Sequence, residues 1–386
     1  MPSSSRDPSR PEGDADVVLV GIAARALAAS ARRAGLRALV LDLFADEDTR
    51  RLAHGAVRLR RGNGLAIDPG DLFAQLARHA GADIPVVLGT GFEDAPNLVA
   101  RLAERYRLAG NGAATLARLK DPMRFAQLLA ELHIAHPRIF AESAPTGVRT
   151  VEKRVGGAGG GHVRPAVRPR GEGWYLQEFV EGRSVSALFL GNGLAARRLG
   201  FSEQWCEPCP DAPFRYGGCA GPIRLEPDLE RDIGAALDRL TRAGGLVGLA
   251  SADLVLHPQG WSLIEVNPRP GATLDIFDAP PFPPLLRLHL DAWAGTLPDL
   301  PLLVPGAGVE ARAAGIFYAP AAIVVRDALP DWAADRPAPG TRISAGEPVC
   351  TVRATGSDVC DARAVLARRM DHLSRALGTA SRAAAE

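Results

Sequence analysis

The chain has 386 residues, enough for two or three domains that each bury a core. Its 45 lysines and arginines nearly balance its 44 aspartates and glutamates, which excludes a global field that would draw it to nucleic acid or to an anionic membrane. No apolar run approaches the ~18 residues of a membrane span, and five cysteines, an odd number in a long chain, argue against a disulfide framework. We therefore expect a cytoplasmic protein with reduced thiols and small-molecule partners.

Residues 16–118 have the sequence pattern of a small α/β domain, and a polar tail precedes them. Residues 1–15 are rich in Ser and Pro and lack an apolar segment, which predicts a disordered tail. Val17–Gly21 and Ala38–Asp42 are continuous apolar runs typical of buried parallel strands, and the Ala-rich residues 22–33 between them predict a helix. Further strands are expected at 56–59 and 85–88, and further helices at 71–79 and 97–105. The pattern predicts a doubly wound α/β domain, without the G-x-G-x-x-G of a dinucleotide site after its first strand.

Residues 119–305 predict a second domain, of α+β type. Asp121 and Pro122 open an amphipathic helix as its N-cap and first helical residue. A strand at 151–155 leads into a glycine-rich segment, and another strand follows at 174–180. The remainder is expected to hold a helix at 229–243 and two strands at 249–256 and 261–266.

Residues 306–386 predict a small C-terminal β-rich subdomain with a closing helix. Proline-rich stretches at 280–284 and 301–306 separate it from the preceding region. Short apolar runs alternate with turn residues as far as residue 359, and residues 361–377 form an amphipathic pattern that predicts the helix.

Three oxygen-bearing side chains in the last predicted strand pair indicate a metal site. Glu265 and Asn267 are two residues apart, so they share one face of a strand, and Asp253 on the neighbouring strand can lie beside them. Carboxylate and amide oxygens suit Mg²⁺, with Mn²⁺ as an alternative, particularly when nucleotide phosphates complete the coordination. The alternative interpretation is a hairpin with a solvated acidic face.

Only two of the 45 basic residues are lysines, Lys120 and Lys153. In such an arginine-rich chain, a retained lysine is expected where the larger planar guanidinium cannot replace a compact ammonium. Lys153 stands on a predicted strand just before a segment with five glycines among residues 156–161. Successive glycine N–H groups can cradle phosphate oxygens, so residues 153–163 predict a phosphate-binding flap, with a flexible linker as the alternative. Gly157, Gly159 and Gly160 are its candidate contact residues.

These pieces, in this order and spacing, resemble the ATP-grasp superfamily over about residues 120–275. By that resemblance, Lys120 and Lys153 bind nucleotide phosphates and Arg269 contacts phosphate or an acyl-phosphate intermediate, so that Arg269 and Lys153 are the catalytic candidates. The resemblance also assigns an adenine-binding hinge and the Mg²⁺ ligands. The hinge residues are Gln177, Glu178 and Val180, and the metal ligands are Asp253, Glu265 and Asn267.

The sequence departs from the family pattern at two positions. Many members carry a ribose-binding carboxylate just after the hinge glycine, where this chain has Arg183 and Ser184, so Glu181 is the candidate substitute. The first metal position holds an aspartate, Asp253, in place of the more usual glutamate.

The resemblance implies an ATP-dependent carboxylate–amine ligase. Within the superfamily the chain is most similar to predicted carboxylate–amine ligases related to biotin carboxylase, some of which occur with cofactor biosynthesis. Such an enzyme forms an acyl phosphate from a carboxylate and joins it to an amine, releasing ADP and phosphate. The alternatives are a carboxylase that uses bicarbonate, a kinase acting on a hydroxyl, and a nucleotide-binding module without turnover. A homodimer is compatible with the sequence.

Other candidate sites are weaker. Arg198 and Arg215 lie between the hinge and the metal strands and are candidates for holding an anionic substrate. Cys206 and Cys209 form a C-x-x-C near Cys219, but without a second pair or histidine ligands they do not establish a zinc or redox site.

Overall fold

The computed structural model describes residues 15–306 and 308–382. The predicted N-terminal tail, apart from Ala15, lies outside these residues, as does the end of the Ala-rich C-terminal tail. No helix of the described ranges is long and apolar enough to cross a membrane.

The N-terminal region is a four-stranded parallel sheet with helices on both faces, as predicted. Its strands lie in the order β3-β2-β1-β4, with fully buried apolar side chains along β1 and β2. One face packs on α1, and the other packs on α3 and α4. The elements are β1 (Val17–Gly21), α1 (Arg25–Arg33), β2 (Ala38–Asp42), α2 (Glu47–Leu52), β3 (Gly55–Arg58), α3 (Pro69–His79), β4 (Val86–Leu88) and α4 (Pro96–Ala103).

Two helices connect this sheet to a small antiparallel lobe. Asp121 caps the second helix as expected, because its carboxylate accepts hydrogen bonds from the backbone N–H groups of Met123 and Arg124, each at 3.0 Å. The small lobe is a four-stranded sheet in the order β5-β8-β6-β7. The elements are α5 (Ala113–Lys120), α6 (Pro122–Glu131), β5 (Ile139–Phe140), β6 (Thr150–Arg154), β7 (Arg164–Pro165) and β8 (Trp174–Glu178).

The largest unit is an eight-stranded sheet in the order β13-β12-β9-β10-β11-β14-β18-β16. One of its faces packs on α7, and part of the other packs on α8 and α9. Its elements and the helices around it are β9 (Arg183–Asn192), β10 (Ala196–Cys206), β11 (Tyr216–Ile223), α7 (Pro227–Gly244), β12 (Val247–His257), β13 (Gly260–Asn267), α8 (Leu274–Phe277), α9 (Leu285–Trp293), β14 (Ala311–Tyr318), β16 (Ala333–Ala334), β18 (Pro348–Gly356) and α10 (Val359–Arg382). Strands β15 (Ile323–Val324) and β17 (Arg342–Ile343) pair in a separate two-stranded sheet.

The C-terminal region is β-rich with a closing helix, as predicted, but it shares its main sheet with the preceding region. Strand β14 pairs antiparallel with β11, and β18 and β16 follow beyond it. Helix α10 packs its apolar face on these strands. The sequence boundaries at residues 118 and 305 stay a prediction, and the second of them falls between strands of a single sheet.

Candidate active site

The predicted metal ligands lie together on the β12–β13 hairpin. Asp253 pairs directly opposite Glu265, and a register shift after that pair leaves Ile264 unpaired. The side-chain amide of Asn267 donates a hydrogen bond to Asp253 Oδ2 at 3.1 Å. The hairpin therefore brings two carboxylates and one amide to the same patch of the sheet face.

Asp253 is held by polar groups from the next two strands. Its Oδ1 atom accepts hydrogen bonds from Ser186 Oγ at 2.9 Å and from Gln204 Nε2 at 2.8 Å. Burial raises the pKa of Asp253 and the charge of Glu265 raises it further, whereas the Gln204 and Ser186 hydrogen bonds oppose the shift. The sequence pattern did not point to Ser186 or Gln204 as partners of Asp253.

Both lysines of the chain converge on Glu265. Lys120 Nζ lies 2.5 Å from Glu265 Oε1 and 3.0 Å from Asn267 Oδ1, and Lys153 Nζ lies 3.9 Å from Glu265 Oε2. Burial alone would raise the pKa of Glu265, but Lys120 and then Lys153 outweigh it and lower the pKa to about 2. Glu265 is therefore ionised at every pH at which the protein is expected to work.

Lys153 is itself 6% exposed. Burial opposes the charge on its ammonium, but Tyr175, Glu265 and Asp253 outweigh burial and raise its pKa. Both lysines are thus cations held beside a carboxylate, an arrangement that suits an anionic phosphate chain bound with its metal ion.

The donor chemistry of this patch fits Mg²⁺. Two carboxylates on opposed strands and a neighbouring amide oxygen are the hard ligands that this ion prefers. Within the described ranges, no group of three or more His, Cys, Asp and Glu side chains is arranged to hold a metal ion by protein ligands alone. A site with two carboxylates matches a metal that shares its coordination with substrate phosphates and water.

A pocket opens between the small lobe and the β12–β13 hairpin. One wall carries the two lysines and Glu265, and the other walls are mainly apolar side chains and the start of the flap. The apolar lining consists of Leu119, Pro122, Phe125, Ala126, Leu129, Pro137, Ile139, Tyr175, Leu263 and Ile264. The pocket therefore combines an apolar cleft with a charged end, as a nucleotide requires.

The predicted hinge residues face different ways along β8 and its continuation. Gln177 is 6% exposed, lines the pocket, and accepts a hydrogen bond from Lys153 Nζ at 3.4 Å. The carboxylate of Glu178 is instead held by Arg138 at 2.8 and 2.9 Å, and that of Glu181 lies 3.3 Å from Arg149 with its side chain 80% exposed. Val180 follows the end of β8. Contacts of Glu178, Val180 and Glu181 with a nucleotide stay a prediction.

The glycine-rich flap packs closely on its surroundings. Gly156 and Gly157 line the pocket, and the Gly159 carbonyl accepts a hydrogen bond from the Tyr216 N–H at 2.9 Å. Gly160 has φ +70°, and a Cβ atom there would collide with the backbone oxygen of Phe214. Glycine at this position therefore has a packing role as well as a conformational one.

Arg269 is fixed by a residue from the N-terminal sheet. Its Nε atom lies 2.6 Å from Glu93 Oε1, and the two side chains are 14% and 4% exposed. Burial would raise the pKa of Glu93, but the positive charges of Arg269 and Lys120 lower it. The sequence gives no signal for Glu93, because no motif surrounds it.

Residues 119–273 match the family model of the ATP-grasp domain. This segment is an ATP-grasp domain. The match spans the two lobes that enclose the pocket and contains both lysines, the predicted hinge, the predicted metal ligands and Arg269.

One curated relative of the chain is named as a ligase. A probable alpha-L-glutamate ligase 2 from Shewanella amazonensis is 26% identical over 194 residues, which is 42% of this chain and 60% of that protein. Less than two thirds of that relative is therefore matched.

Solved structures of low identity share the fold over most of the chain. Pyruvate carboxylase from Rhizobium etli superposes with a TM-score of 0.70 at 14% identity, covering 92% of this chain and 37% of that one. L-amino acid ligase from Bacillus licheniformis gives 0.67 at 15%, covering 94% and 98%, and N5-carboxyaminoimidazole ribonucleotide synthetase from Thermus thermophilus gives 0.64 at 19%, covering 93% and 98%. These similarities show the fold alone.

The two arginines expected to hold an anionic substrate contact other groups of the protein. Arg198 lies over the Phe201 ring and donates to the Glu230 carbonyl on α7. Arg215 stacks on Tyr318, 3.6 Å from the ring centroid, and donates to the Glu207 carbonyl at 2.9 Å. Their role as substrate ligands stays a prediction.

The cysteines form no metal cluster with His, Asp or Glu among the described residues. Cys206 is exposed and Cys209 is partly exposed, whereas Cys219 is buried in hydrogen-bond contact with the Tyr216 side chain. Burial raises the pKa of Cys219 to about 12, so its thiol stays protonated and unreactive.

Proposed function

We propose that this chain is an ATP-dependent ligase that phosphorylates a substrate carboxylate and transfers the acyl group to an amine. The observation that carries the proposal is the convergence of both lysines and Glu265 on one pocket of an ATP-grasp domain, with Asp253 paired opposite Glu265. Arg269, anchored by Glu93, follows two residues after Asn267, the last residue of β13. Structural neighbours solved with MgADP or an ATP analogue support nucleotide binding in this fold.

Bound nucleotide is expected to place its base in the apolar part of the pocket and its phosphates at the charged end. Lys120 and Lys153 would neutralise phosphate oxygens, and Asp253, Glu265 and Asn267 would hold Mg²⁺. When bound, Mg²⁺ neutralises charge on the phosphates and orients them for transfer. The flap excludes water, which would otherwise hydrolyse the activated acyl group.

The reaction needs no protein nucleophile. A carboxylate oxygen attacks the γ-phosphorus and the bond from that phosphorus to the bridging β-phosphate oxygen breaks, which yields ADP and an acyl phosphate that stays in the site. Arg269 and Lys153 stabilise the transferred phosphoryl group by charge. A neutral amine then attacks the acyl carbon, phosphate leaves, and the amine loses one proton to yield the amide.

The names of the relatives suggest where to begin with substrates. One is called a glutamate ligase and another an L-amino acid ligase, so α-amino acids are the first carboxylates and amines to test. Bicarbonate belongs in the same screen, because other neighbours are biotin carboxylases and the ATP site would serve both reactions. A ligase of cofactor biosynthesis would act on cofactor precursors that carry a carboxylate, so we include these compounds in the screen.

The test is ATP-dependent phosphate release by purified protein with Mg²⁺, against pools of carboxylates paired with amines. ADP and phosphate should appear only with both substrates present and be lost in Lys153→Ala and in Glu265→Gln. Incorporation of ¹³C-bicarbonate into the product would show a carboxylase instead. A wild-type protein that binds no ATP would refute the proposal, whereas Arg231→Ala, which removes an exposed ion pair on α7, serves as the neutral control.

A further inference from the structure

One loop of the N-terminal sheet contacts two parts of the ATP site at once. It comprises residues 91–95, shortly after β4, and is called here the 91–95 loop. Two consecutive residues of the loop bind arginines from different elements. Glu93 binds Arg269 at the end of β13, and Asp94 binds Arg154 at the end of β6.

Glu93 is locked in place through both of its oxygens. Oε1 accepts from Arg269 Nε at 2.6 Å, and Oε2 accepts from the N–H groups of Gly91 at 2.8 Å and Phe92 at 2.9 Å. Glu93 uses only the Nε side of the guanidinium. The Nη1 atom of Arg269 donates to the Pro270 carbonyl at 3.4 Å, and within the described chain Nη2 makes no hydrogen bond, so Nη2 is free to bind an anion.

Asp94 contacts the start of the flap by charge and by packing. Its Oδ2 atom lies 2.6 Å from Arg154 Nη2. Gly156 has φ +67°, and a Cβ atom at that position would lie 2.6 Å from Asp94 Cα. The flap therefore begins in direct backbone contact with the 91–95 loop, which belongs to a different sheet.

We propose that Glu93 and Asp94 form an interdomain clamp, in which Glu93 positions Arg269 for the γ-phosphate of ATP and Asp94 holds the flap over the nucleotide. This inference rests on the proposed ATP-dependent function. A guanidinium fixed through Nε meets the phosphate without first being ordered, which lowers the entropic cost of the contact. Because the two residues are adjacent, the position of Arg269 and the closure of the flap depend on the same loop.

The positioning role predicts selective loss of γ-phosphate recognition in Glu93→Gln. Titration calorimetry with MgADP and with Mg²⁺-adenylyl imidodiphosphate, an ATP analogue that is not hydrolysed, should show five- to tenfold weaker binding of the analogue and less than twofold change for ADP. In an Arg269→Gln background, Glu93→Gln should cause no further loss, because Glu93 acts through Arg269. Equal loss for both nucleotides, or additive losses in the double variant, would overturn this role.

The flap contact is tested by hydrogen exchange over residues 155–163 with the analogue bound. Asp94→Ala should speed exchange of these amides five- to tenfold relative to wild type. Arg363→Ala is the control, because it removes an ion pair whose arginine is about as exposed as Arg154, Arg363–Glu203 at 2.8 Å, away from the flap. Unchanged flap exchange in Asp94→Ala, with the analogue binding normally, overturns the clamp.

The outcome for wild-type protein separates the two proposals. If wild type binds neither nucleotide, both the proposed ATP-dependent function and the clamp are wrong. If wild type binds both and the Glu93 and Asp94 variants behave as wild type, only the clamp is wrong.

Discussion

At the scale of single residues, residue type alone singled out the two lysines that lie in the candidate active site. In a chain whose other basic residues are arginines, Lys120 and Lys153 stand out by residue type alone, and both lie within 4 Å of the same carboxylate. Glu93 does not stand out, because its partner Arg269 is 176 residues further along the chain and only the fold brings them together. Ser186 and Gln204 escape sequence reasoning for the same reason, since they reach Asp253 across neighbouring strands.

Lys153→Arg is expected to weaken MgATP binding at least tenfold. Lys153 is 6% exposed among Gln177, Tyr175 and Glu265, and the larger guanidinium cannot occupy that space without displacing them. Titration calorimetry measures the effect, with the exposed Arg78→Lys as the reverse change on the surface. Wild-type affinity for MgATP in Lys153→Arg would show that steric fit does not explain the lysine at this position.

His289 is expected to make stability fall at mildly acidic pH. Its Nδ1 accepts from the Leu249 N–H and its Nε2 donates to the Ala109 carbonyl, both at 2.9 Å, so the folded protein requires the neutral ring. Burial lowers its pKa from 6.5 to about 4. Between these two pKa values the unfolded chain binds more protons than the folded one. The contribution of His289 to the free energy of unfolding is therefore fully present above pH 6.5 and is lost as the pH falls to 4, a loss on the order of 3 kcal/mol.

Urea unfolding at pH 7.5 and at pH 5 checks this prediction. His289→Gln should lose less stability than wild type between the two values, because the titrating ring is gone. His79→Gln, at an exposed position on α3, should retain the wild-type dependence. The same pH dependence in wild type and His289→Gln would contradict the assignment.

At the scale of elements, local patterns located most helices and strands but not every end. The runs Val17–Gly21 and Ala38–Asp42 were predicted to the residue, because buried parallel strands are continuously apolar. Helix α1 was expected from residue 22 but begins at Arg25, since the Ile22 carbonyl accepts from the Leu43 N–H at 3.1 Å and not from an N–H of the helix. Partners from other elements set such ends, and local sequence does not contain them.

The flap offers an element-scale test with a built-in control. Gly160→Ala forces a side chain onto a residue at φ +70° and against the Phe214 carbonyl, whereas Gly161→Ala meets nothing within 4 Å and has no left-handed φ. A left-handed conformation costs a non-glycine residue about 1–2 kcal/mol, so the closed flap and the affinity for MgATP should weaken about 5- to 30-fold. Gly161→Ala should bind as wild type does. Equal affinities for the two variants would mean that this flap geometry is not used in binding.

At the scale of the whole molecule, the sequence indicated a β-rich C-terminal region but not where its strands go. Nothing local shows that β14, from after the proline-rich break, pairs with β11 and extends the large sheet. The side chain of Arg25 connects the N-terminal sheet to two other regions of the chain. It binds Asp275 from α8 and Asp335 from the C-terminal region, so α1 of the N-terminal sheet is tied to both.

Arg25→Leu should therefore destabilise the entire chain. Arg25 is 4% exposed and bonds Asp275 through two contacts of 2.6 Å and Asp335 through two of 3.1 Å. Removing it leaves two carboxylates charged and unpaired in a buried interface, a loss of about 3–5 kcal/mol. Arg32→Leu, on the exposed side of the same helix, should change stability by less than about 0.5 kcal/mol.

Urea unfolding of both variants measures this difference, and a second change separates charge from packing. If unpaired charge is the cause, Asp275→Asn added to Arg25→Leu should recover part of the loss, because the amide is neutral. A loss that Asp275→Asn does not relieve would instead assign the effect to the packing of the Arg25 side chain. A loss no larger than that of Arg32→Leu would show that the three parts of the molecule are held together by their apolar contacts alone.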